Sequence, residues 1–422
     1  MLQAFRELTK VQRRAFTACF LGWTLDAFDF FILTFCLDSV AQSFHVGLPA
    51  VAYSLTWTLC MRPVGALLFG VLAERFGRKP TLMLNIVCFS VFEVASAFAP
   101  TFHVFLVMRA LFGIAMGGEW GVGAALALET LPAKNRGFFS GLLQEGYVIG
   151  NLIAAAVYGL VFPHLHGVGY FENWRVMFLI GAAPALLVFY VRHGVQESPA
   201  WEAARASNAG QKPKMPLSKV FQQIGTHLPM FLFLTLMMTA FTSFSHGTQD
   251  LYPTFLKKDH HLTAQVTSMV AIIGNVGALF GGICCGALSE KFGRRKTIVI
   301  AALLALPMIP LWDYSHAVVM LAVGGFLMQF MVQGAWGVIP VHLNELAPPP
   351  VRALFPGLAY QLGNLISSQN GHFQAALAAK YFDGRLGPVM AGTVVVVGLV
   401  VALCAGFGKE ARGADLSGVQ AV

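Results

Sequence analysis

"GVLAERFGRKPT", residues 70–81, returns 216 positions later as "GALSEKFGRRKT", residues 286–297. The same offset carries Trp120 to Trp336, Gly121 to Gly337, Glu129 to Glu345, Pro132 to Pro348, Arg136 to Arg352 and Gly141 to Gly357. A spacing held over that many positions means that two halves of the chain share one architecture.

Each copy of the motif lies between long apolar runs. The 422 residues are 56% hydrophobic and 11% charged, against about 25% charged in an average soluble domain. Runs of roughly 17 to 25 apolar residues, enough to cross a hydrocarbon core about 30 Å thick, recur along the whole length. Twelve spans are predicted, at 15–38, 50–73, 80–99, 104–129, 138–162, 174–193, 228–256, 264–289, 297–312, 316–346, 353–380 and 387–408. The repeat divides them into an N-terminal six-helix bundle over 1–193 and a C-terminal one over 226–422, joined by a polar linker loop, 194–225. The expected fold class is an all-α membrane protein with 12 transmembrane helices in two pseudo-symmetric six-helix bundles. Parallel repeats of this kind place a site near the midplane, between the bundles.

The formal net charge of +8 raises the question of nucleic acid, and its distribution answers it. Lys and Arg cluster in alternate connections: Arg6 to Arg14, Arg75 to Lys79, Lys134 and Arg136, Arg192 to Lys219, Lys291 to Lys296, Arg352, and Lys409 with Arg412. The other connections hold only Arg175, Lys257, Lys258, Lys380 and Arg385. The positive-inside rule then puts both termini and the middle loop in the cytoplasm. The first apolar run contains Asp26 and Asp29 and lacks a small-residue cleavage pattern, so it is expected to stay as a span and not to be removed as a signal. The seven cysteines lie in apolar segments without CxxC or Cys/His spacing, which speaks against a metal site or a disulfide; no cofactor is expected. The chain lacks GxxxxGK[ST] and any nucleophile with an adjacent base, which excludes an ATP motor and an enzyme.

The repeated motif, a glycine, an acidic residue four on, then Gly-Arg-Lys or Gly-Arg-Arg between spans 2 and 3 and between spans 8 and 9, resembles the major facilitator superfamily. Glu74 and Glu290 stand where that family usually has Asp. The resemblance implies that spans 1, 4, 7 and 10 line a central cavity. It also implies that Glu74, Arg78, Glu290 and Arg294 gate or brace, their charges meeting helix ends of the neighbouring bundle in one conformation and leaving them in another.

An ionised side chain at the bilayer centre costs about 2.5 to 3.5 kcal/mol on insertion scales, so each one needs a cavity or a partner. Asp26, Asp29, Arg62, Glu93, Arg109, Glu119, Glu145, His246 and Asp250 fall inside the predicted spans, with the amides Gln329, Gln333, Gln361, Asn364, Gln369 and Asn370. Asp26 and Asp29 are three apart and His246 and Asp250 four apart, so each pair shares a helix face. At 1.5 Å per residue Asp29 lies about 21 Å up from the basic side and Arg109 about 8 Å down from the other, which makes them roughly level. His246 maps by the offset to position 30 and joins that height, whereas Glu119 lies about 15 Å deeper than Arg109 and is not expected to pair with it. Arg109 reads either as a bracing or proton-coupling group or as an anion contact; Arg62 reads as a carboxylate ligand or as a snorkelling side chain. Glu93 reads as a structural carboxyl, Glu145 as a hydrogen-bonding partner near span 11, and His342 and His372 as packing histidines.

Buried carboxylates and histidine exchange protons near neutral pH. Asp26, Asp29, Glu119, His246 and Asp250 therefore suit proton coupling. Arg62, Arg109, Ser245, His246, Gln249, Gln333, Gln361 and Asn364 suit a small anionic substrate. "TSFSHGTQDLYPT", residues 242–254, is similar to the span 7 motif of the fungal carboxylate permeases, with Thr242 in place of their asparagine. Those permeases belong with the sialate:proton symporters, which "LGWTLDAFDFF" and "MGGEWG" also resemble. The resemblance implies secondary transport, with proton symport of short monocarboxylates such as L-lactate or pyruvate. The alternatives are a sialic acid (sugar acid):proton symporter and a carboxylate sensor that moves nothing. A monomer in a bacterial inner membrane, in contact with lipid, substrate and protons but not with nucleic acid, completes the expectation.

Overall fold

The computed structural model describes residues 2–165, 172–207 and 217–416, which are helices and short connections with no strand among them. Spans 1 to 4 are Lys10–Ser43, Leu48–Phe76, Arg78–Ala97 and Phe102–Thr130. Their ends follow from local chemistry. Span 1 starts at a capping box in which Thr9 Oγ1 accepts from Gln12 N at 3.2 Å and Gln12 Oε1 accepts from Thr9 N at 3.0 Å, satisfying two of the orphan donors of a helix start. Thr101 and Thr263 cap spans 4 and 8 in the same way through their hydroxyls. The turn between spans 2 and 3 needs a left-handed glycine, Gly77 at φ 108°, and the second half repeats it at Gly293 with φ 94°.

Spans 5 to 7 are interrupted. Span 5 runs Arg136–Gln144 and Gly146–Val161, and span 6 runs Asn173–Ile180 and Leu187–Gly194 around a 3-10 turn at Ala183–Leu186. A proline at 184, with no amide hydrogen to donate, lies in that turn. Span 7 runs Leu228–Gln249, breaks, and resumes as Tyr252–Lys258. Spans 8 and 12 are the unbroken helices Ala264–Phe292 and Gly387–Phe407. Span 9 begins as Arg294–Ala305 and ends at Trp312, and span 10 is Val318–Gly337 followed by Ile339–Leu346. Span 11 is Phe355–Ser367 followed by Asn370–Tyr381.

Ten of these stretches, counted across their short breaks, are long and apolar enough to cross a membrane. The other two expected spans, 174–193 and 353–380, are spans 6 and 11, each divided into two short helices. With them the fold is the twelve-helix, two-bundle architecture. The stretch expected as linker loop, 194–225, is partly helical, with Pro199–Ser207 and Leu217–Thr226; residues 208–216, with Lys212 and Lys214, lie outside the described residues.

Glycine-mediated packing ties each half together. A Cβ on Gly65 of span 2 would sit 1.7 Å from the Ile114 carbonyl oxygen of span 4, and one on Gly281 of span 8 would sit 2.1 Å from that of Phe330 in span 10. These two contacts are related by the 216-residue offset. Small residues at such crossings let backbones approach closely.

Candidate functional site

The repeated motif closes one face of the molecule, the face that carries the Lys- and Arg-rich connections. Arg78 Nε meets Glu129 Oε2 at 3.2 Å and its Nη1 meets Glu74 Oε2 at 2.9 Å. In the second half Arg294 Nε meets Glu345 Oε2 at 3.0 Å and its Nη2 meets Glu290 Oε1 at 3.2 Å. The acidic residue of each motif then crosses to the other bundle. Glu74 Oε1 accepts from Ala353 N at 2.8 Å, and Glu290 Oε1 accepts from Gly137 N. Gly137 and Ala353 are themselves offset mates, each near the start of span 5 or span 11, where a carboxylate meets unsatisfied amides. The motif leads to the expectation that the arginine clusters reach the neighbouring bundle. The structure instead gives that contact to Glu74 and Glu290, because Arg78 and Arg294 are held inside their own bundles by Glu129 and Glu345.

Glycines make this closed face tight. A Cβ on Gly141 of span 5 would lie 2.2 Å from the Gly282 carbonyl oxygen of span 8, and one on Gly286 would lie 2.5 Å from that of Gly137. Ser140 Oγ donates to the Gly337 carbonyl at 2.9 Å and accepts from Val341 N at 3.0 Å, joining span 5 to span 10.

Above this closure lies a cavity of about 440 Å³ between the bundles. Its floor is aromatic. Tyr360 stacks on Trp120 at 4.3 Å and meets Trp336 edge-on at 5.6 Å, so an offset-related tryptophan pair from the two halves holds one tyrosine. Its walls come from spans 1, 2 and 5 on one side, with Phe30, Phe31, Arg62, Tyr147 and Asn151, and from spans 7, 8, 10 and 11 on the other.

Span 7 gives the polar wall more residues than any other span. His246 Nδ1 lies 3.0 Å from Asp250 Oδ1 and 3.1 Å from Oδ2, with the two side chains 45% and 44% exposed. The helical four-residue spacing makes this pair, and the end of the helix at Gln249 leaves it open to the cavity. A run of amides fixes the rest: Gln333 Nε2 donates to Ser245 Oγ at 2.9 Å, Gln249 Nε2 to Gln329 Oε1 at 2.7 Å, and Gln329 Nε2 to Thr248 Oγ1 at 3.2 Å. On span 11, Asn364 Oδ1 accepts from Thr242 Oγ1 at 3.1 Å while its Nδ2 donates to Gln361 Oε1 at 3.1 Å.

Arg62 is the arginine on the cavity wall. Its Nη2 is 3.9 Å from Asp26 Oδ2, and neither Nε nor Nη2 has a hydrogen-bond partner among the described residues. Arg109 is elsewhere. It is fully buried in the N-terminal bundle with Nη1 2.5 Å from Glu93 Oε2 and its guanidinium 4.1 Å from the Phe112 ring centre. Expected as a substrate contact, it faces span 3 and not the cavity in this conformation. Gln361 is likewise behind the wall, reaching it only through Asn364. Asp26, Asp29 and Glu119 are also buried behind the wall within the N-terminal bundle. Asp26 lies next to Arg62, Asp29 packs by Gly181 of span 6, and Glu119 packs by Gly22 of span 1. The carboxylates of Asp29 and Glu119 have no hydrogen-bond partner among the described residues. Height along a span is legible in the sequence; the direction in which each group faces is not.

The sequence reading missed Tyr147, Asn151, Trp336 and Tyr360 as wall and floor. The offset pair Trp120 and Trp336 is visible there and reads only as scaffold; Tyr360 is the offset mate of Gln144, which accepts from Trp120 Nε1 at 3.3 Å. No group of three or more His, Cys, Asp and Glu side chains suited to a metal occurs among the described residues.

Comparison with known proteins agrees with this architecture. Residues 15–405 match the family described as sugar (and other) transporter. The chain is 30% identical over 364 residues to a probable 4-methylmuconolactone transporter of Cupriavidus pinatubonensis, covering 85% of this chain and 82% of that protein. It is 28% identical to the sialic acid transporter NanX of Escherichia coli, covering 91% and 90%. It is also 28% identical to a carboxylic acid transporter protein homolog of Saccharomyces cerevisiae, of which it spans 63% while 89% of this chain is matched. The structure of the proton:xylose symporter XylE bound to 6-bromo-6-deoxy-D-glucose superposes with a TM-score of 0.77 at 19% identity, over 96% of this chain and 98% of that one. The repeat, the paired bundles, the cavity between them and a match over nearly the whole length together make this chain a member of the sugar (and other) transporter family, with the major facilitator fold.

Proposed function

We propose that this transporter carries short monocarboxylates of the size of L-lactate or pyruvate together with protons, as a monomer in a bacterial inner membrane with its basic face in the cytoplasm. The observation that carries the reading is the meeting of Arg62 from one bundle with Ser245, His246, Gln249 and Asp250 from the other across a single cavity. A guanidinium with free donors binds a carboxylate through paired hydrogen bonds. An exposed histidine held by a carboxylate can take up and release a proton near neutral pH. Asp26, beside Arg62, competes with an incoming carboxylate for the same guanidinium, which links substrate arrival to the state of the span 1 carboxylates. Asp29 and Glu119 extend that buried acidic set along the same bundle. Glu74, Arg78, Glu290 and Arg294 act as the latch of the cytoplasmic gate, made here and released when the bundles rock.

Uptake of labelled L-lactate into proteoliposomes, with and without an inward proton gradient, tests this. Uptake stimulated by the gradient is expected. Absence of stimulation, together with uptake of sialic acid, transfers the reading to a sugar acid symporter. That second reading draws on the number of amides on the wall and on a cavity volume within the range of drug-sized ligand sites. Saturable lactate binding with no flux at all would indicate a sensor.

A further inference from the structure

The His246–Asp250 pair sits at the last turn of the first part of span 7, where a helix loses its own donors for its final carbonyls. His246 O still accepts from Asp250 N at 3.1 Å. The next carbonyl, Gly247 O, is taken by a side chain from another span: Gln374 Nε2 donates to it at 3.1 Å. Gln374 is fully buried, and the same nitrogen donates to Thr393 Oγ1 of span 12 at 3.0 Å. One turn earlier on span 11, Asn370 Nδ2 donates to Ser243 O at 3.3 Å. Two amide side chains of span 11, one of them held by Thr393 of span 12, therefore brace the back of the helix whose front presents His246 and Asp250.

The glycine of the motif belongs to this brace. A Cβ on Gly247 would fall 2.8 Å from Thr393 Cγ2 and 3.2 Å from Asn370 Nδ2. A side chain at this position would have to displace Thr393, so glycine favours the close approach of spans 11 and 12 through which Gln374 reaches the backbone. The rotation of a helix end is set by where its terminal carbonyls are held. Since His246 precedes Gly247 and Asp250 follows it by three residues, pinning this carbonyl fixes the directions of both.

We propose that Gln374 is a positioning residue for the binding motif of span 7, acting through the Gly247 carbonyl, with Thr393 orienting Gln374. Its transport consequences rest on the carboxylate reading given above; its geometric consequence does not. The test is Gln374→Met, which keeps the length of the side chain and removes both donated hydrogen bonds, beside Thr393→Val, a gentler change that removes one of them and preserves shape. Two measurements are made on purified, folded full-length protein. The first is the rate at which His246 is modified by diethyl pyrocarbonate, read by mass spectrometry, which needs no substrate. The second is the KM and maximal rate of L-lactate uptake per folded transporter. Gln374→Met is expected to change the His246 rate severalfold and to raise KM about tenfold, the scale of one lost hydrogen bond, with a smaller change in maximal rate. Thr393→Val is expected to move both readouts in the same direction by less. A wild-type His246 rate in both variants overturns the proposal, whatever their expression level. If wild-type protein moves no lactate, the functional reading fails while the His246 measurement still decides the positioning role.

Discussion

Replacing Gly141 with alanine should push the bundles toward the conformer that opens on the basic face. The new Cβ would lie 2.2 Å from the Gly282 carbonyl oxygen and 2.9 Å from its carbon. Both are backbone atoms of a long helix, so no side chain can swing away. Restoring ordinary contact requires spans 5 and 8 to separate by about 1 Å, and packed helices resist such overpacking at a cost of about 1–3 kcal/mol. The strain exists only while this face is closed, so it is removed by opening. At 1.4 kcal/mol per tenfold, the ratio of open to closed protein should rise by about 5- to 150-fold. The substitution Ala353→Cys, in a background otherwise free of cysteine, reports this from a distance. Ala353 is 2% exposed and lies in the other inter-bundle contact, where its amide is held by Glu74. Labelling of the introduced thiol by a membrane-impermeant maleimide from the basic face should accelerate at least fivefold when Gly141→Ala is added. Gly159→Ala is the control, since nothing lies within 4 Å of its Cβ position. Unchanged labelling of that thiol alongside Gly141→Ala would mean that the methyl group is absorbed locally, and would refute the claim that glycine contacts set the closed state.

Four further outcomes are expected. Arg62→Gln should raise the KM for L-lactate about 10- to 100-fold, the scale of a lost charge-assisted hydrogen-bond pair, measured by uptake into proteoliposomes. Arg109→Gln should instead lower thermal stability, by about 3–5 kcal/mol for a buried charge left unpaired, and adding Glu93→Gln should recover much of it in a melting assay. Glu345→Gln should destabilise on a similar scale, whereas Lys134→Ala should cost no more than about 1 kcal/mol, because Lys134 and Glu7 are 78% and 40% exposed. At the opposite face, in the connection after span 9, burial pushes the Asp313 carboxyl up to about 7, with Asp259 adding to the shift. A folded-state value above the unfolded one means stability that is fully present below about pH 4 and is lost as pH rises through about 7. The melting temperature of wild type should therefore carry a downward slope over that window that Asp313→Asn lacks.

The repeat was the most informative feature of the sequence, and its reach was greater than the motif alone suggested. It relates Gly77 to Gly293, Gly65 to Gly281, and the two cross-bundle contacts of Glu74 and Glu290 to each other. Periodicity and length gave the spans, because crossing a membrane imposes both. They could not show that spans 5, 6, 7, 10 and 11 are each made of two helices, since a break of one to a few residues in an apolar run leaves its mean hydropathy high. The pairing of His246 with Asp250 was legible from a four-residue spacing on one helix. The choice between Arg62 and Arg109 was not, because it depends on which neighbour each faces: Arg109 meets Glu93 of span 3, whereas Arg62 meets Asp26 and the cavity. Gln374, far along the chain on span 11, carries no motif at all and is found only once its amide is seen on the Gly247 carbonyl.

The most direct test of the central claim is proton movement driven by substrate. Wild-type and His246→Ala/Asp250→Asn proteoliposomes are suspended in weak buffer and given L-lactate with no imposed gradient. For wild type the external medium is expected to become alkaline in step with labelled lactate entry, and the double variant is expected to match empty liposomes. Lactate entry through wild-type protein with no pH change beyond that of empty liposomes would contradict it.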